Sequence, residues 1–189
     1  MKKLIKEIAT IQSGIYAKTD QWGDVTYLQA KYFNEKGKIV PWLHPDLHME
    51  GKIEKHLLND GDLLFAAKGV KNFTAIYNKG IGLAVASSTF LVLRLKPYYS
   101  NTVLPEYLKW LLNQPDNMSY LQSGAKGTGI PSISKSFIEK MRIDIPPIKT
   151  QHLILKVQEL RNKEKEIQNQ IEDLREKEIQ ITLRKAVKK

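Results

Sequence analysis

Three histidines and an aspartate lie within 13 residues, and they are the first candidates for chemistry: His44, Asp46, His48 and His56. Two histidines four residues apart can bind zinc from one face of a helix. Pro45 would have to open that helix directly after His44, and the spacing fixes no third ligand. The pattern therefore favours surface histidines over a metal site.

The same region imitates a magnesium-dependent nuclease motif, in which an acid is followed by an acid and a lysine. Asp46 would be the first acid, and Glu50 and Lys52 the following pair. Such a motif needs its groups on separate strands that converge on one Mg²⁺. Only three residues separate Asp46 from Glu50, too few for a turn between strands. A stand-alone Mg²⁺-dependent nuclease is therefore a weaker alternative.

Other catalytic motifs are absent from the sequence. It contains no G-x-x-x-x-G-K-[ST], no G-x-S-x-G and no cysteine. The glycine-rich segment 124–129 does not follow a strand and open a helix, as a nucleotide-binding loop does. We interpret it as a flexible loop whose lysine and small hydroxyls can approach a phosphate closely. We predict no catalytic residue, no cofactor and no metal.

The charge favours an acidic partner. The net charge is +10 and the isoelectric point about 9.6, which points first to nucleic acid and then to an acidic membrane surface or protein. Residues 1–149 hold 20 Lys and Arg against 13 Asp and Glu, so most of the excess lies there. There is no apolar run of the roughly 20 residues that span a bilayer, and no signal peptide. We expect a soluble cytoplasmic protein.

Three loops carry the side chains that suit DNA. Lysine neutralises phosphates, whereas amide, hydroxyl and phenol groups contact base edges or sugars. The alternative is that these are ordinary solvated turn residues. The predicted phosphate contacts are Lys18, Lys68, Lys71 and Lys126. The predicted base-edge or sugar contacts are Tyr16, Thr19, Asn72 and Thr128.

Strands and turns dominate the first 147 residues, and helices follow late. Pro105 and Pro115 each begin a helix, and Ser136 with Glu139 has the spacing of a capping box. We predict an α+β fold that is strand-rich with a few short helices. Predicted turns lie at residues 34–37, 59–62 and 78–80. Predicted strands lie at residues 25–28, 38–40, 63–66, 73–77, 83–86 and 89–95.

One long helix is expected after Pro146 and Pro147, since neither Gly nor Pro occurs beyond them. Thr150 can cap a helix that begins near Gln151 and runs about 39 residues, or roughly 58 Å. Its heptads predict a coiled coil, because such an apolar face needs another helix. The alternative is a helix folded back on its own globule. The predicted seam residues are Leu153, Val157, Leu160, Ile167, Ile171, Leu174 and Ile181.

Four segments, in this order, resemble the specificity subunit of type I restriction–modification systems. They are IQSG at residues 11–14, DGDLLFAAKG at 60–69, GTGIPSIS at 127–134 followed by IDIPP at 143–147, and IKTQHLI at 148–154. The first is expected to precede the first strands. In the last, the family commonly has Glu where Thr150 stands, whereas Gln151 matches.

The resemblance implies a non-catalytic DNA-binding protein. Residues 1–147 would be a target-recognition domain for half of a bipartite site. Residues 148–189 would be a spacer helix that pairs with a second such helix in an antiparallel coiled coil and also docks the modification subunits. Modification and restriction subunits would supply methylation and cleavage. A complete subunit has two recognition domains and two such helices, so this chain is expected to be a homodimerising half-subunit or a fragment. The alternative function is a coiled-coil adaptor whose globule binds protein.

Overall fold

The computed structural model describes residues 1–34, 37–39 and 43–187. The chain divides into two compact units, Met1–Ile148 and Lys149–Lys189. The strands are β1 (Lys2–Leu4), β2 (Ala9–Ser13), β3 (Thr26–Leu28), β4 (Leu63–Ala66), β5 (Thr74–Ile76), β6 (Ala84–Ala86), β7 (Phe90–Leu95), β8 (Ala125–Lys126), β9 (Ser132–Ile133) and β10 (Arg142–Asp144). The helices are α1 (Ile5–Ile8), α2 (Pro105–Leu112), α3 (Pro115–Ser123), α4 (Lys135–Glu139) and α5 (Ile148–Val187). Short 3-10 turns lie at Ala30–Tyr32, Glu54–His56, Lys79–Ile81 and Pro97–Tyr99.

A four-stranded sheet with the order β2-β7-β4-β5 is the centre of the first unit. Strand β7 is antiparallel to both β2 and β4, with Ser13 opposite Leu91 and Ala66 opposite Phe90. Because β2 and β4 share this antiparallel neighbour, they run in the same direction and finish at the same edge of the sheet.

Both faces of this sheet are buried, which explains why β4 is apolar throughout. Leu63 and Phe65 point to the core formed with helices α1, α2, α3 and α4. Leu64 and Ala66 point to the opposite core, formed with β3 and β6. Side chains alternate between faces along a strand, so a strand between two cores needs apolar residues at every position.

The outer edge of β5 is covered by one side chain instead of another strand. The Asn113 side-chain amide donates to the Thr74 carbonyl at 2.8 Å, and its oxygen accepts from the Thr74 amide, also at 2.8 Å. Asn113 therefore repeats the pairing of a neighbouring strand and blunts an edge that could otherwise pair with another chain.

An ion pair ties β7 to the turn before β4. The Arg94 guanidinium donates to both oxygens of Asp62, from Nε at 2.8 Å and from Nη2 at 2.6 Å. Asp62 is 2% exposed and also accepts from the Asn59 amide at 2.8 Å. The hydrogen bonds to Asp62 raise the pKa of the Arg94 guanidinium above its ordinary value. The pair fixes the turn that starts β4.

The α+β prediction is confirmed, and most of the predicted elements are present. Strands β3, β4, β5, β6 and β7 lie within the predicted ranges, and α2 and α3 begin at Pro105 and Pro115. The Gly37 amide bonds to the Asn34 carbonyl, and Phe33 pairs with Ile39, as the predicted turn requires. The rest of that prediction, at residues 35, 36 and 40, lies outside the described residues.

Three predictions about element boundaries are wrong. The motif that begins at Ile11 forms much of β2, so it does not precede the first strands. The glycine-rich segment does not stay a loop throughout, because Ala125–Lys126 forms β8 and pairs with β9. Ser134 caps α4 in place of Ser136, because the helix starts at Lys135 and Ser134 therefore faces the Phe137 amide.

The last helix begins earlier than predicted, at Ile148, so Thr150 lies inside its first turn and does not cap it. The first amides of a helix need no intrahelical acceptor, so a helix can start directly after two prolines. It has 40 residues and is about 60 Å long.

The surface of α5 is charged along much of its length. Glu159 lies 3.0 Å from Lys156 and 2.7 Å from Lys163, and hydrogen bonds from these lysines lower the pKa of Glu159 to about 2. In the described part of the chain, no helix is both long enough and apolar enough to cross a membrane.

Replacing Asp62 with Ala should lower the free energy of unfolding by about 2–3 kcal/mol, because Arg94 loses a buried partner while keeping partial access to water. Urea denaturation measures the change. Asp60→Ala, which removes an exposed carboxylate from the same turn, should cost less than about 1 kcal/mol. If both variants lose the same free energy of unfolding, the Asp62–Arg94 ion pair is not what fixes this turn.

Candidate nucleic-acid interface

Two predicted contact segments leave the central sheet at the same edge. Residues 14–24 follow β2 and residues 67–73 follow β4, and both strands finish beside the start of β7. A third segment, residues 126–135, joins them through pairing of Lys68 with Ser132. We name these three segments the sheet-end surface. All eight predicted contact residues lie on it.

A row of polar side chains crosses this surface. Ser132 pairs with Lys126 on one side and with Lys68 on the other, antiparallel in both cases. Directly opposite residues point to the same face, and neighbouring strands lie about 4.8 Å apart, which puts the Cα atoms of the two lysines roughly 10 Å apart. Both lysines are exposed. The row therefore presents two positive charges and a hydroxyl on one face.

The segment after β4 is held by specific hydrogen bonds. The Gly69 amide donates to the Pro131 carbonyl, and the Ile133 amide donates to the Ala67 carbonyl, each at 2.9 Å. The side-chain amide of Asn72, which is half-buried, donates to the Ala66 carbonyl at 2.8 Å. Asn72 thus holds the loop in shape, beyond the base-edge contact predicted for it.

The segment after β2 is anchored at its base. The Tyr27 hydroxyl donates to the Ile15 carbonyl at 2.8 Å and accepts from the Ala17 amide at 3.4 Å. Burial raises the pKa of Tyr27, so its phenol stays protonated and able to donate at neutral pH. Beyond this anchor Tyr16 is 81% exposed, and Lys18 and Thr19 are also exposed.

A recess of about 200 Å³ opens beside the row of lysines. Hydroxyl groups and ammonium groups together are suited to bind phosphate oxygens. Its polar lining comes from Ser13, Lys68, Ser88, Ser132, Ser134 and Lys135. Sequence reasoning missed Ser132 and Lys135 as site residues, because only the pairing of β9 with its neighbours brings them to Lys68.

Two further predicted contact residues, and one residue that was not predicted, are exposed on this surface. Thr128 is exposed beyond β8, and Lys71 is exposed in the segment after β4. Trp22 is 81% exposed in the segment after β2 and was missed, although an indole in a polar loop is itself a signal for base stacking. Near it, Asp20 and Asp24 each lie 3.9 Å from His48. The far end of this segment is thus acidic.

The nuclease and metal motifs are not assembled. Residues 43–50 contain no helical turn, so His44 and His48 share no helix face. Asp46 is 6% exposed and accepts the Tyr27 amide at 2.8 Å, which commits its carboxylate to the backbone. Within residues 1–34, 37–39 and 43–187, no three histidine or acidic side chains are grouped to hold a metal ion.

The first unit is therefore a strand-rich domain with exposed lysines clustered at one end of its sheet, and a long helix follows it in sequence. Family comparison is decisive about its class. The model of the type I restriction modification DNA specificity domain matches residues 1–173. The chain belongs to this family.

Individual relatives agree with the family assignment. The chain is 34% identical over 104 residues to the type I restriction enzyme MjaVIII specificity subunit of Methanocaldococcus jannaschii, a match covering 53% of this chain and 22% of that protein. The HsdS subunit of Thermoanaerobacter tengcongensis shares the fold with a TM-score of 0.64 at 18% identity, over 88% of this chain and 43% of that chain. The type I S subunit of M. genitalium gives 0.59 at 14% identity, over 86% and 39%. The chain thus spans less than half the length of these relatives.

Replacing Gly14 with Ala should destabilise the base of the segment after β2, because the added Cβ would collide with the Ser87 carbonyl oxygen. We expect the free energy of unfolding to fall by about 1–3 kcal/mol in urea denaturation. Gly129→Ala is the matched control, since a Cβ there meets nothing within 4 Å. If both variants have the parent's free energy of unfolding, the folded protein lacks the close packing at Gly14 described above.

Proposed function

We propose that this chain recognises double-stranded DNA sequence-specifically through the sheet-end surface, as the specificity component of a type I restriction–modification complex. Lys68 and Lys126 contact phosphates and set the orientation, while exposed side chains of the neighbouring loops contact base edges. The chain itself is non-catalytic and works in the cytoplasm. Modification and restriction subunits supply methylation and cleavage.

The observation that carries the proposal is the convergence, at one end of the sheet, of three segments that each carry at least one exposed lysine. Phosphate contacts need several positive or hydroxyl groups on one face, and the row through Ser132 supplies them from different parts of the chain. Asn72 and Tyr27 hold the loops by hydrogen bonds to backbone, which limits the entropy lost on binding. Membership of the DNA specificity family supports the same function.

We further propose that α5 pairs with the helix of a second copy. The predicted seam residues Leu153, Leu160, Ile167, Leu174 and Ile181 are 53–64% exposed, and they form an apolar stripe. An apolar stripe along a helix is stabilised by burial against a similar stripe.

Antiparallel pairing centred on Ile167 suits the charges. Glu178 and Lys156 are equally far from Ile167 in sequence, so the antiparallel arrangement brings Glu178 of one copy to the level of Lys156 of the other. A parallel arrangement would instead set Glu178 against Glu178, and like charges at facing positions repel.

The DNA proposal is tested by changing Lys68 and Lys126 to Ala together. Affinity should fall for all duplexes alike, and the slope of log affinity against log salt should become shallower by about 2, because two phosphates are no longer neutralised by lysine. Fluorescence anisotropy over a salt series measures both quantities. Before this, selection from random duplexes should yield a defined target bound more tightly than unrelated DNA.

The control variant changes Lys55 and Lys79 to Ala. Both are exposed, and Lys79 bonds through its amide to Asp60, at the opposite end of β4. The net charge changes equally, so the control separates a local contact from a general charge effect. An equal loss of affinity in both variants, or no loss in either, would show that the row through Ser132 is not part of the DNA interface.

The pairing of α5 is tested by replacing Leu160 and Leu174 with Asp, which should convert dimers to monomers in sedimentation velocity because charges would be buried in the seam. The control replaces Ile179 and Leu183 with Asp on the same helix, away from the heptad stripe, where they are 52% and 55% exposed. That variant should remain dimeric. If the variant with Asp at positions 160 and 174 still forms dimers, the dimer contact lies outside the predicted seam.

A further inference from the structure

Two aliphatic side chains project from the sheet-end surface into solvent. Val70 is 81% exposed and Ile130 is 72% exposed. A single exposed apolar residue is ordinary, whereas neighbouring ones form a patch that a partner can cover. Neither residue belongs to the contacts predicted from the sequence, so their role is open.

The backbone brings these two residues close together. Lys68 pairs with Ser132 in an antiparallel bridge, and the Gly69 amide bonds to the Pro131 carbonyl at 2.9 Å. Val70 follows Gly69 and Ile130 precedes Pro131, so the two aliphatic residues flank this hydrogen bond in the chain. Both segments bend here, with Gly69 at a φ of 100°, and the bends carry Val70 and Ile130 out into solvent.

The surroundings of this pair fit DNA better than protein. Lys68 and Lys126 lie beside it in the row through Ser132, and Lys71 follows Val70 directly. A small aliphatic tip surrounded by ammonium groups complements a polyanion that carries a few methyl groups. In double-stranded DNA the methyl group of thymine, which is exposed in the major groove, has that chemistry.

We infer that Val70 and Ile130 form an apolar tip that contacts thymine methyl groups in the major groove and so determines part of the target sequence. The inference rests on the proposed function and adds a specificity determinant to it. The neighbouring Lys68 and Lys126 fix the depth at which the tip enters the groove, because they reach the phosphates that border it. The aliphatic tip then distinguishes thymine from cytosine, which lacks the methyl group.

The test replaces each thymine of the selected target with deoxyuridine, which removes the methyl group and leaves the base pairing intact. We expect the parent chain to lose affinity about fourfold for each contacted methyl, following the roughly 0.8 kcal/mol gained on burying one such group. Because the tip is narrow, the loss should be confined to one or two adjacent positions. Anisotropy titrations at one fixed salt concentration measure it.

The same titrations are repeated with the double variant Val70→Ser and Ile130→Ser, which has no methyl groups at the tip. It should bind the thymine and deoxyuridine duplexes equally, while a Leu83→Ser variant, 52% exposed and outside the three segments, keeps the parent's preference. Both changed residues are exposed, so the thermal midpoint should stay close to the parent's.

The outcomes separate this inference from the function on which it rests. Target binding that is indifferent to deoxyuridine at every position overturns the apolar tip and leaves the proposed function standing. A deoxyuridine penalty that persists in the serine variant also overturns it, because the methyl group is then contacted elsewhere. Absence of selective duplex binding by the parent chain overturns the proposed function and this inference together.

Discussion

The hydrogen bonding of β7 to both β2 and β4 is the constraint on which the rest of the first unit depends. Two strands that share an antiparallel neighbour must run in the same direction, so the segments that leave them start at one edge of the sheet. Buried apolar residues on both faces of β4 prevent a shift of register, since a shift by one residue would exchange the two cores. The position of the sheet-end surface follows from this pairing, although its residues are far apart in sequence.

The surface is positioned by backbone contacts rather than by its own charges. Gly14 allows β2 to leave the sheet against the Ser87 carbonyl, and Tyr27 and Asn72 each bond to a backbone carbonyl at the base of a segment. The lysines themselves are exposed. A hydrogen-bonded base with exposed cations suits phosphate contacts, which position a protein on the duplex, whereas base-edge contacts carry the sequence specificity.

Much of the fold could be predicted from sequence because its signals are local. Continuous apolar runs marked β4 and β7, and proline at the first helical position marked α2 and α3. Strand β1 could not be predicted this way, since its three residues gain their structure from pairing with β10, about 140 residues away. Strands β8 and β9 are two residues long and are likewise defined by their partners.

The candidate site could likewise be predicted in part, because residue types are visible in the sequence and long-range pairing is not. Lys68 and Lys126 stood out as cations next to glycines, but their arrangement in one row depends on Ser132, which no sequence pattern marks. Asn72 was predicted as a base contact from its residue type, yet its amide group bonds to the backbone of its own loop. Residue type therefore indicates which groups are able to contact DNA, while the long-range pairing decides which of them share one face of the molecule.

The exposed stripe of α5 bears on the symmetry of the proposed target. A helix of 40 residues with leucine and isoleucine at every seventh position is stable mainly when that stripe is covered. If a second copy covers it in the antiparallel sense, a two-fold axis passes near Ile167 and relates two sheet-end surfaces. Two identical surfaces related in this way contact the same bases on opposite strands, so the target must be an inverted repeat. A chain with two different recognition domains has no such restriction. The symmetry of the proposed DNA site therefore depends on which helix covers the apolar stripe of α5.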